Sequence, residues 1–176
     1  LSGGSIAGIL DGPGAVTVDT ATTNLTGTIV NAASVTVVSG GTLAATGAGS
    51  IDTSANVINI AGGTFSTDGG TIADGDEAVT VSGATGLFDV NGQEVIGGLV
   101  NDSTAAIGVD VADDRTLLAD SVTNNAGATI NVVGTLTSIA QIDNNATATL
   151  TMDNTGAGTS TVNGGIVNDG VVNAQG

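Results

Sequence analysis

Seventeen carboxylates and one guanidinium are the only side chains in this sequence with formal charge near neutrality: fifteen Asp, two Glu and Arg115, with no Lys and no His. The chemistry open to such a set is that of oxygen ligands. Two clusters are dense enough to consider, Asp74, Asp76 and Glu77 in ADGDEA, and Asp110, Asp113 and Asp114 in GVDVADDR. Calcium takes about six to eight oxygens, which close carboxylates and glycine-permitted carbonyls can supply. Neither cluster has the spacing of an EF-hand loop, and GGTFSTDGG departs from the GGxGxDxUx calcium-solenoid pattern. The competing reading is that these acids are solvated turn formers that keep the surface charged. Arg115, next to Asp113 and Asp114, reads as one half of a local surface ion pair.

Without His, Cys or Lys the chain lacks the commonest catalytic bases and nucleophiles, so enzymatic activity is not expected. A net charge of −16 excludes nucleic acid and anionic membrane surfaces as partners, because nothing neutralises phosphate. No stretch approaches the roughly 20 apolar residues of a membrane helix, and direct membrane insertion is not expected. Absence of Cys rules out disulfides and is compatible with export, in which case a targeting signal lies outside this sequence.

The elements that would position these acids are written in a repeat. Taking the large apolar residue after each glycine turn as a marker gives Leu43, Phe65 and Leu87, each 22 residues from the last, followed at near-constant offset by Ile51, Ile72 and Val95. Each unit holds about three short alternating apolar runs separated by Gly, Asn or Asp. The apolar residues, 40% of the chain, are Val, Ile, Leu and Ala, with only Phe65 and Phe88 aromatic. Branched residues and turn formers at this period predict an all-β fold, a single-stranded parallel β-helix of about eight coils, each with 20–22 residues and three short strands. A sandwich of antiparallel hairpins is the competitor, but regularly placed Asn-Gly or Asp-Gly turns between strand pairs are missing.

In the solenoid, Leu43, Phe65 and Leu87 should form one interior ladder, and Ile51, Ile72 and Val95 a second. The pairs Gly40-Gly41, Gly62-Gly63 and Gly69-Gly70 should mark corners, where positive φ or close approach of a neighbouring coil is needed. Asn124-Asn125 and Asn144-Asn145 should sit at bends and bond to equivalent residues of the next coil. Register within a strand stays open: SGGT alignment matches Val38 with Ile60, whereas VTV alignment matches Val35 with Val79. The next marker after Leu87 is Leu117, 30 residues on, which suggests an insertion or protruding loop over residues 97–120 of a single 1–176 domain. Flat Thr arrays on solenoids can order water, but Thr17, Thr36 and Thr80 give an interrupted column only.

GGTL at Gly40–Leu43, GGTF at Gly62–Phe65, VGTL at Val133–Leu136, and the strings NNAGATINV and VNGGIVNDGVVN resemble the degenerate repeats of bacterial autotransporter passenger domains and filamentous adhesins. The resemblance implies a parallel β-helix on the cell surface, acting as a stalk or adhesin. Both ends of the sequence stay in pattern, so its strand edges are expected to meet flanking repeats or further copies end to end. The function expected is that of a non-enzymatic, extracellular or bacterial cell-surface structural protein: a stalk, adhesin segment, biofilm filament or surface-layer subunit. The alternative is a secreted module that binds calcium or host or surface glycans, using the 97–120 segment. No cofactor is required, and Ca2+ is the one ion whose binding the acidic clusters would support.

Overall fold

The computed structural model describes residues 1–55, 57–155 and 158–175. The first four coils are three-sided. The first comprises β1 (Gly4–Ile6), β2 (Ile9–Asp11) and β3 (Ala15–Val18), and the second β4 (Thr22–Leu25), β5 (Thr28–Ala32) and β6 (Ser34–Val38). The third comprises β7 (Thr42–Thr46), β8 (Ser50–Thr53) and β9 (Val57–Ala61), and the fourth β10 (Thr64–Asp68), β11 (Thr71–Ile72) and β12 (Ala78–Gly83). From the fifth coil the second and third runs fuse into one long strand. Its pairs are β13 (Leu87–Val90) with β14 (Gln93–Ser103), β15 (Val109–Val111) with β16 (Thr116–Asn124), β17 (Thr129–Val132) with β18 (Thr135–Asn144), and β19 (Thr149–Asp153) with β20 (Thr161–Asn168). A final strand, β21 (Val171–Gln175), lies on β19.

The strands stack into three parallel sheets. One runs β1-β4-β7-β10-β13-β15-β17-β19-β21, a second β3-β6-β9-β12-β14-β16-β18-β20, and the shortest β2-β5-β8-β11. The chain is therefore a parallel β-solenoid of about eight coils with its apolar side chains turned inward at every second residue, as the alternation of each strand requires. Among the described residues there is no helix, and so none long and apolar enough to cross a membrane.

The interior ladders differ by one residue from those expected. Leu43 pairs with Phe65, but Phe65 pairs with Phe88, while Leu87 lies outside against Thr64. The column continues through Val109, Ile130, Leu150 and Val172. Similarly Ile51 pairs with Ile72, but Ile96 is the buried residue of the fifth coil and Val95 is 48% exposed. The cause is the turn before β13. Aligning on the glycine that immediately precedes each strand, Gly41, Gly63 and Gly86, makes Thr42, Thr64 and Leu87 equivalent. A slip of one residue exchanges the faces of the whole strand. In the other large sheet Val35 and Val79 both pair with Ile58, so the VTV alignment is the correct one.

Residues 97–120 do not protrude. They lie within β14, β15 and β16 and the turns between them, and these strands pair in parallel with their neighbours, with one register shift between Ala119 and Val122 where β16 meets β18. The apparent 30-residue gap arose from comparing Leu117, which belongs to the sheet of β16, with residues of the β13 sheet. The β13-sheet equivalent of Phe88 is Val109, 21 residues on.

The paired glycines divide two duties. Gly40, Gly62 and Gly69 have φ of 85°, 83° and 80°. Their successors sit where coils nearly touch: a Cβ on Gly41 would lie 2.6 Å from the Val18 carbonyl oxygen, and one on Gly63 2.5 Å from that of Val38.

Candidate functional site

The acidic side chains separate by type. None of the fifteen Asp is buried, whereas both Glu are, with Glu77 0% and Glu94 1% exposed. The Asp side chains stay at the surface or half-buried, whereas both glutamates reach inward to a main-chain amide of the coil below, Thr53 for Glu77 and Ile72 for Glu94.

The six acids expected to hold calcium fall at three places. Asp74, with φ of 57°, and Asp76 are exposed in the turn after β11. Glu77 ends that turn, and its Oε1 accepts the Thr53 amide at 3.1 Å from the coil below, leaving Oε2 buried without a partner. Burial pushes the Glu77 carboxyl up, the Thr53 amide opposes the rise, and the charges of Asp76 and Asp52 add to it. Asp110 is half-buried on the outer face of β15, where its Oδ1 accepts Asn131 Nδ2 at 2.9 Å. Asp113 and Asp114 are exposed in the next turn, where Asp113 Oδ1 accepts the Asp114 amide at 3.0 Å and the Asp114 carbonyl accepts Gln93 Nε2 at 3.2 Å. Among the described residues no three acidic side chains converge closely enough to share a metal ion.

Arg115 is exposed and lines a shallow corner hollow of about 300 Å3 with Asp68, Thr71, Asn91 and Gln93. Gly92 also lines this hollow. On the core side of Gly92 lies the second buried acid, Glu94, which the sequence reading missed. Its Oε2 accepts the Ile72 amide at 2.9 Å, and its Oε1 has no partner. Burial pushes its pKa up to about 7, against the Ile72 amide and the nearby Thr67 hydroxyl, which stops short of hydrogen-bond geometry with Oε1. The signal was present in the alternation of Gln93-Glu94-Val95-Ile96: placing Ile96 inside places Glu94 inside as well.

Two further arrays line the corners and outer faces. Asn101, Asn124, Asn144 and Asn168 stack along one corner, joined Nδ2 to Oδ1 at 3.0, 2.8 and 2.7 Å. Each of the first three also donates to a backbone carbonyl, of Thr129, Thr149 and Val171 respectively. Beside them Asn145 donates to Asn125 and Asn125 to Asp102. The bends expected at Asn124-Asn125 and Asn144-Asn145 thus bond to neighbouring coils as their composition suggested. In the first four coils the same corner column is aliphatic, with Val18, Val37, Ile60 and Val81. The outward Thr17, Thr36 and Thr80 column is broken by Asn59, Val100 and Asp143, as expected.

This arrangement of in-register parallel coils, ladders and glycine corners defines a parallel β-solenoid repeat protein. The chain matches no family model, no curated protein and no solved structure.

Proposed function

We propose that this chain is a non-enzymatic structural module of the bacterial cell surface or extracellular matrix, a stalk, adhesin segment or filament subunit of the autotransporter-passenger type. Its work is mechanical: ladder hydrogen bonds and stacked aliphatic columns make a stiff rod about 38 Å long at about 4.8 Å per coil. One observation carries the reading. The outermost coils present apolar strand edges, with Ile9 76%, Leu10 39%, Ile166 40%, Val167 52%, Val171 47% and Val172 36% exposed. Because all strands run parallel, the two ends differ, and joining unlike ends propagates a filament rather than closing a dimer. Flanking repeats or further copies of this chain are the partners these edges fit. The acidic surface keeps the rods apart sideways, and a chain without His, Cys or Lys has few groups for catalysis.

Sedimentation velocity over a concentration series tests this. Growth into elongated oligomers supports it; a single monomeric species at every concentration, joined with specific binding of a soluble glycan, would favour the ligand-binding alternative. The calcium form of that alternative is tested by melting with and without a chelator, an unchanged midpoint speaking against an integral ion.

A further inference from the structure

Glu94 occupies a place that the following coils reserve for aliphatic side chains. In the stacked register it stands against Leu117, and the column continues through Leu136 and Val162. It also marks a break in the main-chain ladder. The β2-β5-β8-β11 sheet ends at β11, and the Ile72 amide of that strand donates to Glu94 Oε2 where a further coil would offer a carbonyl.

The other carboxyl oxygen is buried without a partner. Oε1 lies 2.6 Å from the position a Cβ on Gly92 would take, and the Thr67 and Gly70 carbonyl oxygens lie 3.0 and 3.4 Å from that same point. Thr67 Oγ1, from the coil below, is fully buried and also without a partner. An ionised Oε1 is therefore a buried charge with no donor held against it, whereas a protonated one is neutral and can donate to the Thr67 hydroxyl. No opposite charge offers a substitute. Asp68 at the end of β10, Asp114 and Arg115 ahead of β16, and Asp102 near the far end of β14 are exposed; half-buried Asp89 of β13 accepts the Ser66 hydroxyl; β11 carries no charged side chain; Glu77 faces Asp52 and Asp76 instead.

We propose that Glu94 and Thr67 form a proton-operated latch between the fourth and fifth coils. With a proton taken from water, Glu94 donates from Oε1 to the Thr67 hydroxyl while Oε2 keeps the Ile72 amide; when the proton returns to water, the junction loosens at the point where the ladder is already interrupted. The structural consequence is a rod whose weakest joint tightens on acidification. Burial raises the Glu94 pKa to about 7, which is consistent with this and sets the transition near neutrality.

Hydrogen exchange of the Ile72 amide, expressed as protection relative to the intrinsic rate between pH 5 and 9, tests the latch. In the unaltered chain protection should fall by up to about tenfold per pH unit as pH rises from about 5 to 7 and level off above about 7, where the carboxyl is ionised in both the closed and the open junction. Glu94→Gln, whose amide can donate to Thr67 and accept from Ile72 at every pH, should flatten the profile at its acid level. Thr67→Val should lower protection on the acid side towards the alkaline value. A carbon-13 titration of the Glu94 carboxyl needs no variant and should show a midpoint near 7. A midpoint at the ordinary carboxylate value, a flat profile in the unaltered chain, or the same profile in Glu94→Gln would overturn the proposal.

Discussion

Asn124→Ala should be among the most damaging polar substitutions in the chain. The side chain is 0% exposed. Its Nδ2 donates to Asn144 Oδ1 at 2.8 Å and to the Thr149 carbonyl at 2.9 Å, while its Oδ1 accepts Asn101 Nδ2 at 3.0 Å. Truncation deletes three hydrogen bonds, each worth about 1 kcal/mol net, and leaves Asn144 Oδ1 buried and without its donor at a further cost of about 1–3 kcal/mol. Asn101 Nδ2 keeps the Thr129 carbonyl, which limits the loss on that side. The expected total is about 4–6 kcal/mol, or roughly 10–20 °C in melting midpoint for a chain of this length. Denaturation of the unaltered chain, Asn124→Val, Asn144→Val and the double variant, followed by circular dichroism, would also expose the ladder's cooperativity. Asn144 Oδ1 is no longer left behind when both side chains are removed, and their mutual bond is lost once rather than twice, so the double variant should cost at least about 1 kcal/mol less than the sum of the singles. Additive effects, or a cost for Asn124→Ala below about 1 kcal/mol, would refute the reasoning.

Phe88→Ala removes half of the Phe65–Phe88 stack, whose ring centroids are 5.6 Å apart at 16°, from a site with no exposure; a loss of about 3–5 kcal/mol in chemical denaturation is expected. Gly63→Ala brings a methyl against the Val38 carbonyl at 2.5 Å and the Val37 side chain at 2.6 Å, so it should lower the melting midpoint far more than a change at an exposed glycine with open space around it, such as Gly14→Ala. Because burial raises the Glu77 carboxyl, the folded chain holds that proton more tightly than the unfolded chain. Its contribution to stability is full below about pH 4.5 and is lost as pH rises through the raised value; Glu77→Gln should flatten that part of a stability–pH curve measured by denaturant titration.

The solenoid was legible in the sequence because the 22-residue spacing of Leu43 and Phe65 is a spacing of whole coils, and stacking repeats it in space. The corner glycines and the Asn pairs were legible for the same reason: backbone geometry and ladder bonding constrain their types directly. The misread residues, Leu87 for Phe88 and Val95 for Ile96, follow a turn that makes its coil one residue longer than the one before, and in a period-2 strand a single residue is enough to invert both faces. That inversion also hid Glu94, since a carboxylate reads as an outward residue until its apolar neighbour is turned in. The acidic clusters were visible as composition, but their convergence depends on which coil each turn serves. Asp74 and Asp76 stand in the turn after β11, whereas Asp113 and Asp114 stand after β15, two coils further on.

The proposed structural role rests on the ends of the rod. Electron microscopy and fibre diffraction of concentrated protein in high salt, which screens the net charge of −16, test it most directly. Unbranched filaments one chain wide, with an axial repeat of about 4.8 Å running unbroken through the joints, are the predicted result. Separate rods about 38 Å long at every concentration and salt would contradict it.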